Sequence, residues 1–366
     1  MKQGKGDGMA KIRVGILYGG KSAEHEVSLQ SARNICDALD REKYEPVLLG
    51  IDKTGRWHYT PSAAILSSPG AALPEIGPDS KTVVFAPQGG GLAPEAEGAQ
   101  ADVIFPILHG PFGEDGTVQG LLRLADLPFV GSGVLGSAVG MDKDVMKRLL
   151  RDAGLPIGRF RALAAHEPIP DFGEVTGELG LPLFVKPANM GSSVGVNKIH
   201  DEAEYNAFVR EAFEYDRKII LEEFIKGREI ECAVLGNEEP AASPPGEVIT
   251  RHEFYSYDAK YLDENGAALE IPAKLPPALA GKIQALAIKT FRVLGCEGLG
   301  RVDFFLRGQE EVLVNEINTM PGFTRISMYP KLWEAAGLSY GKLIDTLIDL
   351  AFERRRREAK VRTSYR

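Results

Sequence analysis

The sequence predicts an α/β fold, with an N-terminal doubly wound parallel sheet followed by a mixed α+β region. Two observations carry that prediction. In the first third, short apolar runs at 12–18, 47–51 and 103–108 alternate with helix-periodic segments at 27–39 and 118–124. Strands alternating with helices favour parallel pairing. From 156 to 223 the pattern is strand, helix, strand, glycine loop, helix, strand, and the last third carries apolar runs at 230–235, 302–306 and 312–317.

The elements follow in order. Residues 1–10 are Gly- and Lys-rich without periodicity and read as a leader or tag-like segment, with Met9 as an alternative start. The run IRVGILY at 12–18 suits a strand buried on both faces. The Pro/Gly/Ala-rich stretch 61–100 predicts loop with a hairpin near 82–86. Met141-Asp142-Lys143 opens a helix that Gly154 and Pro156 stop. Domain boundaries are therefore expected to divide the chain into 11–141, 142–225 and 226–366. An amphipathic helix at 340–352 runs into a basic tail, ERRRREAK at 353–360, expected to be a solvated helix end with cations favoured by the C-terminal dipole.

Composition excludes several classes. The 366 residues carry 43 Lys and Arg against 51 Asp and Glu, a net charge of −8. The positive excess that displaces counterions from a nucleic acid is missing. No apolar run approaches the ~20 residues of a membrane helix, and the opening residues lack a secretory layout. Three scattered cysteines, Cys36, Cys232 and Cys296, form no CxxC pair and give no disulfide or zinc framework. They fit a reducing cytoplasm. A cytoplasmic protein without nucleic-acid or membrane partners is expected.

Gly15 to Ser22 (GILYGGKS) match the phosphate-binding pattern G-x-x-x-x-G-K-[ST], so a P-loop nucleoside triphosphatase is one alternative. Against it, Ile16, Leu17 and Tyr18 continue the apolar strand. In an anion-binding nest they would be exposed and the strand cut to a stub. No G-x-G-x-x-G joins a strand to a helix, which disfavours a dinucleotide fold.

Three later features carry chemistry together. In LFVKP at 183–187, Lys186 ends a strand before the small-residue loop MGSSVGV at 190–196. A cation beside flexible backbone N–H groups suits a polyphosphate; a plain turn is the competing reading. Next, Glu222, Glu223, Phe224 and Ile225, with Glu229 shortly after, set acidic acceptors around an aromatic–aliphatic pair. That arrangement suits adenine and ribose, while charges at a strand edge are the alternative. Finally, GRVDFF at 300–305 and LVNEIN at 313–318 read as a hairpin around 307–309. Alternation puts Arg301 with Asp303 on one face, and Glu316 with Asn318 on one face. Three oxygen-bearing side chains and an arginine describe a magnesium site completed by waters and phosphates. A structural Arg301–Glu316 ion pair is the competing reading. Together these features imply ATP–Mg²⁺ chemistry without a P-loop.

With these motifs the chain resembles the ATP-grasp carboxylate–amine ligases, and among them the D-alanine–D-alanine ligase family. The resemblance rests on GGKSAEHEVSLQS (19–31), LHGPFGEDGTVQG (108–120), GMDKDVMK (140–147), FVKP with GSSVGV, EEF with GRE, YDAKY (257–261), GRVDFF and NEINTMPGFTRISMYP (315–330), in family order over 12–350. Residues 1–10, 61–100 and the basic tail depart from it.

The resemblance implies a two-lobed ATP-grasp region in a cytoplasmic homodimer. ATP would phosphorylate a first D-alanine, and the amine of a second would attack the acyl phosphate. The product would be D-alanyl-D-alanine for peptidoglycan precursors. By position, Lys143, Lys186 and Ser193 would hold phosphates. Glu222, Glu223, Phe224, Ile225 and Glu229 would surround adenosine, with Lys260 and Asn315 also on the nucleotide side. Asp303, Glu316 and Asn318 would hold two Mg²⁺, for which Mn²⁺ can substitute. Arg301 and the Gly322 N–H would stabilise the oxyanion. Glu24, with His109, would meet the first D-alanine's ammonium; a locally bonded turn residue is the alternative for His109. Ser327, the Met328 N–H and Lys260 would receive the second carboxylate. Tyr261, on a lid-like segment at 251–270, would bond toward Ser192 and Glu24 and favour an amine acceptor. D-serine or D-lactate on the same scaffold is the nearest alternative.

Overall fold

The computed structural model describes residues 10–22, 24–61, 81–83, 99–250, 267–362 and 364–365. Its first sheet is built on β1 (Ile12–Gly19), where Val14, Ile16 and Tyr18 join one core and Leu17 another. A strand apolar on both faces needs cover on both. β1 pairs in parallel with β2 (Tyr44–Ile51), which continues antiparallel into β3 (Trp57–Thr60) and β4 (Lys81–Thr82). On its other side β1 pairs in parallel with β5 (Val103–Pro106). Helix α1 (His25–Ala38) buries Leu29, Ala32, Ile35 and Cys36 on one face. Helix α2 (Thr117–Leu124) buries Val118 and Leu122 on the other. The expected parallel sheet is thus the three-strand heart of a sheet with an antiparallel edge. Of the hairpin expected near 82–86, 84–86 lie outside the described residues.

The P-loop alternative falls here. Gly15 sits inside β1, where an added Cβ would lie 2.6 Å from Ile104 Cδ1. Its small size serves strand packing, and no loop follows it to cradle a phosphate. The chain turns only at Gly19 and Gly20, at φ +88° and +101°.

Helix α3 (Val134–Met141) leads into α4 (Lys143–Asp152), whose N-cap Asp142 accepts Val145 N–H at 3.1 Å. A four-stranded antiparallel sheet follows, in the order β6 (Phe160–Ala164), β9 (Lys218–Glu223), β7 (Leu183–Pro187), β8 (Asn197–Ile199). Helices α5 (Phe172–Leu179) and α6 (Glu202–Tyr215) pack Val175, Tyr205 and Val209 against Val185 and Leu221.

The third sheet is antiparallel: β13 (Ala267–Glu270), β12 (Gly246–Thr250), β10 (Arg228–Gly236), β14 (Gly298–Arg307), β15 (Glu311–Asn318), with β11 (Ala241–Ala242) beside β10. Helix α7 (Pro277–Val293) packs Ile283, Ala287 and Phe291 among Val302, Phe304 and Val314. After α8 (Met328–Ala335), helix α9 (Tyr340–Glu358) returns Leu343, Ile344 and Leu347 to the core of the first sheet.

Two departures from expectation have clear causes. The β14–β15 hairpin forms, but Asp303 pairs with Glu316 while Phe304 pairs with Val314, leaving Asn315 as the extra residue of a bulge. The bulge lets Val312, Val314 and Ile317 all enter one core. The basic tail is a solvated helix end only in part: Glu353, Arg356, Ala359 and Lys360 are exposed. Arg354 continues the apolar stripe of Leu347 and Ala351 at helical spacing and is buried. Its guanidinium donates to the Phe129 carbonyl at 2.7 Å and to the Gly131 carbonyl. Arg355 pairs with Asp126 at 2.5 Å, and Arg357 pairs with Glu297. No helix among the described residues is long and apolar enough to cross a membrane.

Candidate active site

Glu24 occupies the N-cap position of α1 but makes no side-chain cap bond. Its carboxylate turns instead to the loop after β7, where Ser192 Oγ donates to Glu24 Oε1. Ser192 and Ser193 both sit at positive φ, +52° and +61°. Such backbone costs about 1–3 kcal/mol per residue and persists where surroundings impose it. Gly110, at φ +76°, borders the same carboxylate: an added Cβ would stand 3.2 Å from Glu24 Oε2.

His109 is buried beside it. Nδ1 donates to the Met320 carbonyl at 3.2 Å, across 211 residues, a long-range contact beyond its local ones. Glu114 Oε1 lies 3.5 Å from the same nitrogen, and His109 Nε2 is buried with no hydrogen-bond partner among the described residues. Burial alone would lower the imidazole pKa; Glu114 and Glu24 outweigh it and raise it. Burial holds the Glu114 carboxyl above its usual range.

The lysines converge from two elements. Lys143, the first residue of α4, donates to the Met190 carbonyl at 2.7 Å and stands 3.8 Å from Glu316 Oε2. One ammonium thereby joins the Gly/Ser loop to the β14–β15 hairpin. Glu222 lies between Lys147 and Lys186, each 2.6 Å from one of its oxygens. Burial alone would raise this carboxyl, but the two ammoniums prevail and hold it at about 2. Burial would likewise lower Lys186; Glu222, Glu316 and Glu229 outweigh that and raise it. Glu223 is engaged elsewhere: it accepts Arg159 Nε at 3.0 Å and the Arg159 backbone N–H at 2.9 Å. Its side chain fastens the end of β9 to Arg159. Phe224 packs against Phe184 with centroids 6.0 Å apart, under Lys198 Nζ at 4.4 Å. Ile225 covers Gly158, where a Cβ would meet Ile225 Cδ1 at 2.8 Å.

On the hairpin, Asp303 stands opposite Glu316, and Arg301 opposite Asn318. Asn318 Nδ2 donates to Asp303 Oδ2 at 2.9 Å. Arg301 forks onto Asp303 with two bonds of 2.7 Å, and its Nε lies 2.8 Å from Glu231 Oε2. Arg301 thus pairs with Asp303 and Glu231, which corrects the Arg301–Glu316 alternative. Burial would lower the guanidinium pKa; Asp303 and Glu231 instead hold it well above its ordinary value. With Nδ2 turned to Asp303, the Asn318 amide oxygen joins two carboxylates as a hard-donor set that fits a magnesium ion. Among the described residues no three His, Cys, Asp or Glu side chains gather as a metal site. An ion here would need phosphate and water oxygens as well.

After β15 the turn carries Gly322, where an added Cβ would lie 3.2 Å from Ser327 Oγ. Ser327 Oγ accepts Thr324 N–H at 3.0 Å, and Met328 begins α8. The unpaired N–H groups of a helix start suit a carboxylate. Lys260, Tyr261 and the lid-like segment through 266 lie outside the described residues. Sequence reasoning missed Glu114, Lys147 and Glu231. Lys147 carried a signal, because it shares the buried stripe of α4 with Met146 and Leu150. Glu231 did too, as the one charge inside IECAVL at 230–235.

The chain is similar to known proteins over nearly its whole length. The family described as "D-ala D-ala ligase N-terminus" matches residues 13–132, and "D-ala D-ala ligase C-terminus" matches 149–349. A D-alanine–D-alanine ligase of Shouchella clausii is 56% identical over 97% of this chain and 99% of its own. Among solved structures, the D-alanine–D-alanine ligase from Coxiella burnetii superposes with a TM-score of 0.83 at 38% identity, covering 96% of each chain. A D-Ala:D-Ser ligase from Enterococcus faecalis superposes with a TM-score of 0.81 at 33% identity, covering 93% of this chain and all of its own. The chain belongs to the D-alanine–D-alanine ligase family of ATP-dependent ligases.

Proposed function

We propose that this chain condenses two D-alanine molecules to D-alanyl-D-alanine through an acyl phosphate formed from ATP, supplying peptidoglycan precursors in the cytoplasm as a homodimer. The observation that carries the reading is the Ser192–Glu24 bond, which closes the loop after Lys186 over the buried Glu24–His109 pair. A small zwitterion and the phosphates of ATP would meet there. The division into 11–141, 142–225 and 226–366 belongs to the same proposal, each unit contributing one sheet.

Lys143, Lys186 and Ser193 hold the phosphates. Lys186 exchanges its bond to Glu222 for a phosphate, and Lys147 keeps Glu222 paired meanwhile. Glu222, Glu223, Phe224, Ile225 and Glu229 border adenosine, with Asn315 and Lys260 toward the nucleotide. Asp303, Glu316 and Asn318 would hold two magnesium or manganese ions, which would supply positive charge beside the transferring phosphoryl group. Arg301 and the Gly322 N–H stabilise the oxyanion of the tetrahedral intermediate. Glu24, with His109, orients the first D-alanine, so that its carboxylate meets the γ-phosphate. Ser327, the Met328 N–H and Lys260 take the carboxylate of the second, and Tyr261 closes over it.

The similar fold of a D-Ala:D-Ser ligase keeps D-serine as a second acceptor. The test is a competition at neutral pH, with ATP, magnesium and equal D-alanine, D-serine and D-lactate, read by product mass. D-alanyl-D-alanine should dominate. A predominant D-alanyl-D-serine or ester product would overturn the acceptor assignment.

A further inference from the structure

We infer that Glu231 is a positioning residue for Arg301: it holds the guanidinium from the strand opposite the metal-binding hairpin. The inference rests on the proposed role of Arg301 and extends it to a residue with no role in that reading.

The strand register makes the contact. Across β10, β14 and β15, Glu231 pairs with Asp303, and Asp303 with Glu316, in one line. Arg301 lies two positions before Asp303, opposite Ala233 on β10 and Asn318 on β15. Ala233 is small, so the long side chain has room to lean along β14. There its Nε–H and an Nη2–H both donate to Asp303 at 2.7 Å, while Glu231 Oε2 stands 2.8 Å from the same Nε as an ion-pair contact. The three side chains are only 19%, 12% and 14% exposed for Arg301, Glu231 and Asp303.

Asp303 cannot be the whole anchor. It also accepts Asn318 and belongs to the proposed cation ligands. A carboxylate oxygen drawn to a cation weakens its grip on the fork. Glu231 approaches from the other side of β14, on a strand that supplies no proposed metal ligand. Its charge therefore faces the guanidinium whatever Asp303 binds, 2.8 Å from the Nε whose hydrogen Asp303 holds. A charge within an otherwise apolar segment is costly unless paired, and orientation of Arg301 accounts for its presence. Displacing a catalytic group by about 1 Å can cost about a hundredfold in rate.

The test is Glu231→Gln, which preserves shape and removes charge, alone and combined with Arg301→Ala in the full-length enzyme. Expected is a kcat loss of about ten- to a hundredfold with KM for ATP within about twofold. In the Arg301→Ala background the same change should cost less than about twofold, since the residue it acts through is gone. A second readout is independent of turnover. In the ligand-free protein, the Arg301 Nε–H resonance, assigned by its absence from Arg301→Ala, should shift in Glu231→Gln, because a carboxylate 2.8 Å from that nitrogen loses its charge. Equal losses in both backgrounds, an unchanged kcat, or an unmoved resonance would overturn the proposal. Failure of the underlying reading looks different: Arg301→Ala, with Glu231 in place, would ligate normally.

Discussion

The Ser192 hydroxyl donates to the Glu24 carboxylate and joins two segments 168 residues apart. One belongs to the loop that follows Lys186, the other to the start of α1 beside the first sheet. The bond orients the Glu24 carboxylate toward the loop. Ser192 reaches it from a left-handed backbone position, so the loop holds a specific conformation at this point.

Replacing Ser192 by alanine should therefore separate loop from pocket without relieving the backbone strain. A hydrogen bond to a charged group contributes about 1.5–3 kcal/mol. Steady-state kinetics should show kcat/KM for D-alanine down about ten- to a hundredfold, with KM for ATP changed less than about threefold. Equal losses for both substrates would show that the whole site had collapsed.

Glu222 makes stability depend on acid. Its folded carboxyl titrates at about 2, below the ordinary value of about 4.3. A depressed carboxyl contributes stability that is complete above the unfolded pKa and lost as pH falls through the folded one. The difference amounts to about 3 kcal/mol. Denaturant unfolding of the wild type and of Glu222→Gln should differ most at pH 6–7. The gap should narrow steadily from about pH 5 toward pH 2. A gap independent of pH would contradict the pairing with Lys147 and Lys186.

Arg354 should matter for stability rather than chemistry. Arg354→Ala leaves the buried Phe129 and Gly131 carbonyls without their guanidinium donor. At about 1–3 kcal/mol per orphaned group, a loss of about 3 kcal/mol is expected in denaturant unfolding. The folded fraction should keep near-normal KM values. An unchanged midpoint would show that the helix end does not clasp the first sheet.

Lys21→Ala separates the motif match from the fold. Lys21 is exposed just after β1, and Gly15 lies inside that strand. ATP affinity and ligation should stay within about twofold of wild type. Loss of nucleotide binding would restore the P-loop reading.

Much of this architecture was legible in the sequence because burial writes period into it. The unbroken apolar run of β1 announced a strand covered on both faces, and that outweighed the GILYGGKS match. The hairpin that brings Asp303 and Asn318 together was legible from alternation. The bulge at Asn315 was not, although the spacing of Val312, Val314 and Ile317 carries it. The buried arginine at 354 was hidden by its neighbours: four consecutive arginines look solvated unless the apolar stripe is followed to the end of α9. Glu231, Lys147 and Glu114 were missed for a shared reason. Each lies against another candidate site group, and that relation exists only once strands and helices have been brought side by side.

The central claim is that one D-alanine is activated by ATP and captured by another. The most direct measurement is ADP release by the purified chain with magnesium and D-alanine, L-alanine or no amino acid, with products weighed by mass spectrometry. One ADP per D-alanyl-D-alanine is expected, with little release in the other two conditions. ADP release independent of amino acid, or equal turnover of L-alanine, would contradict it.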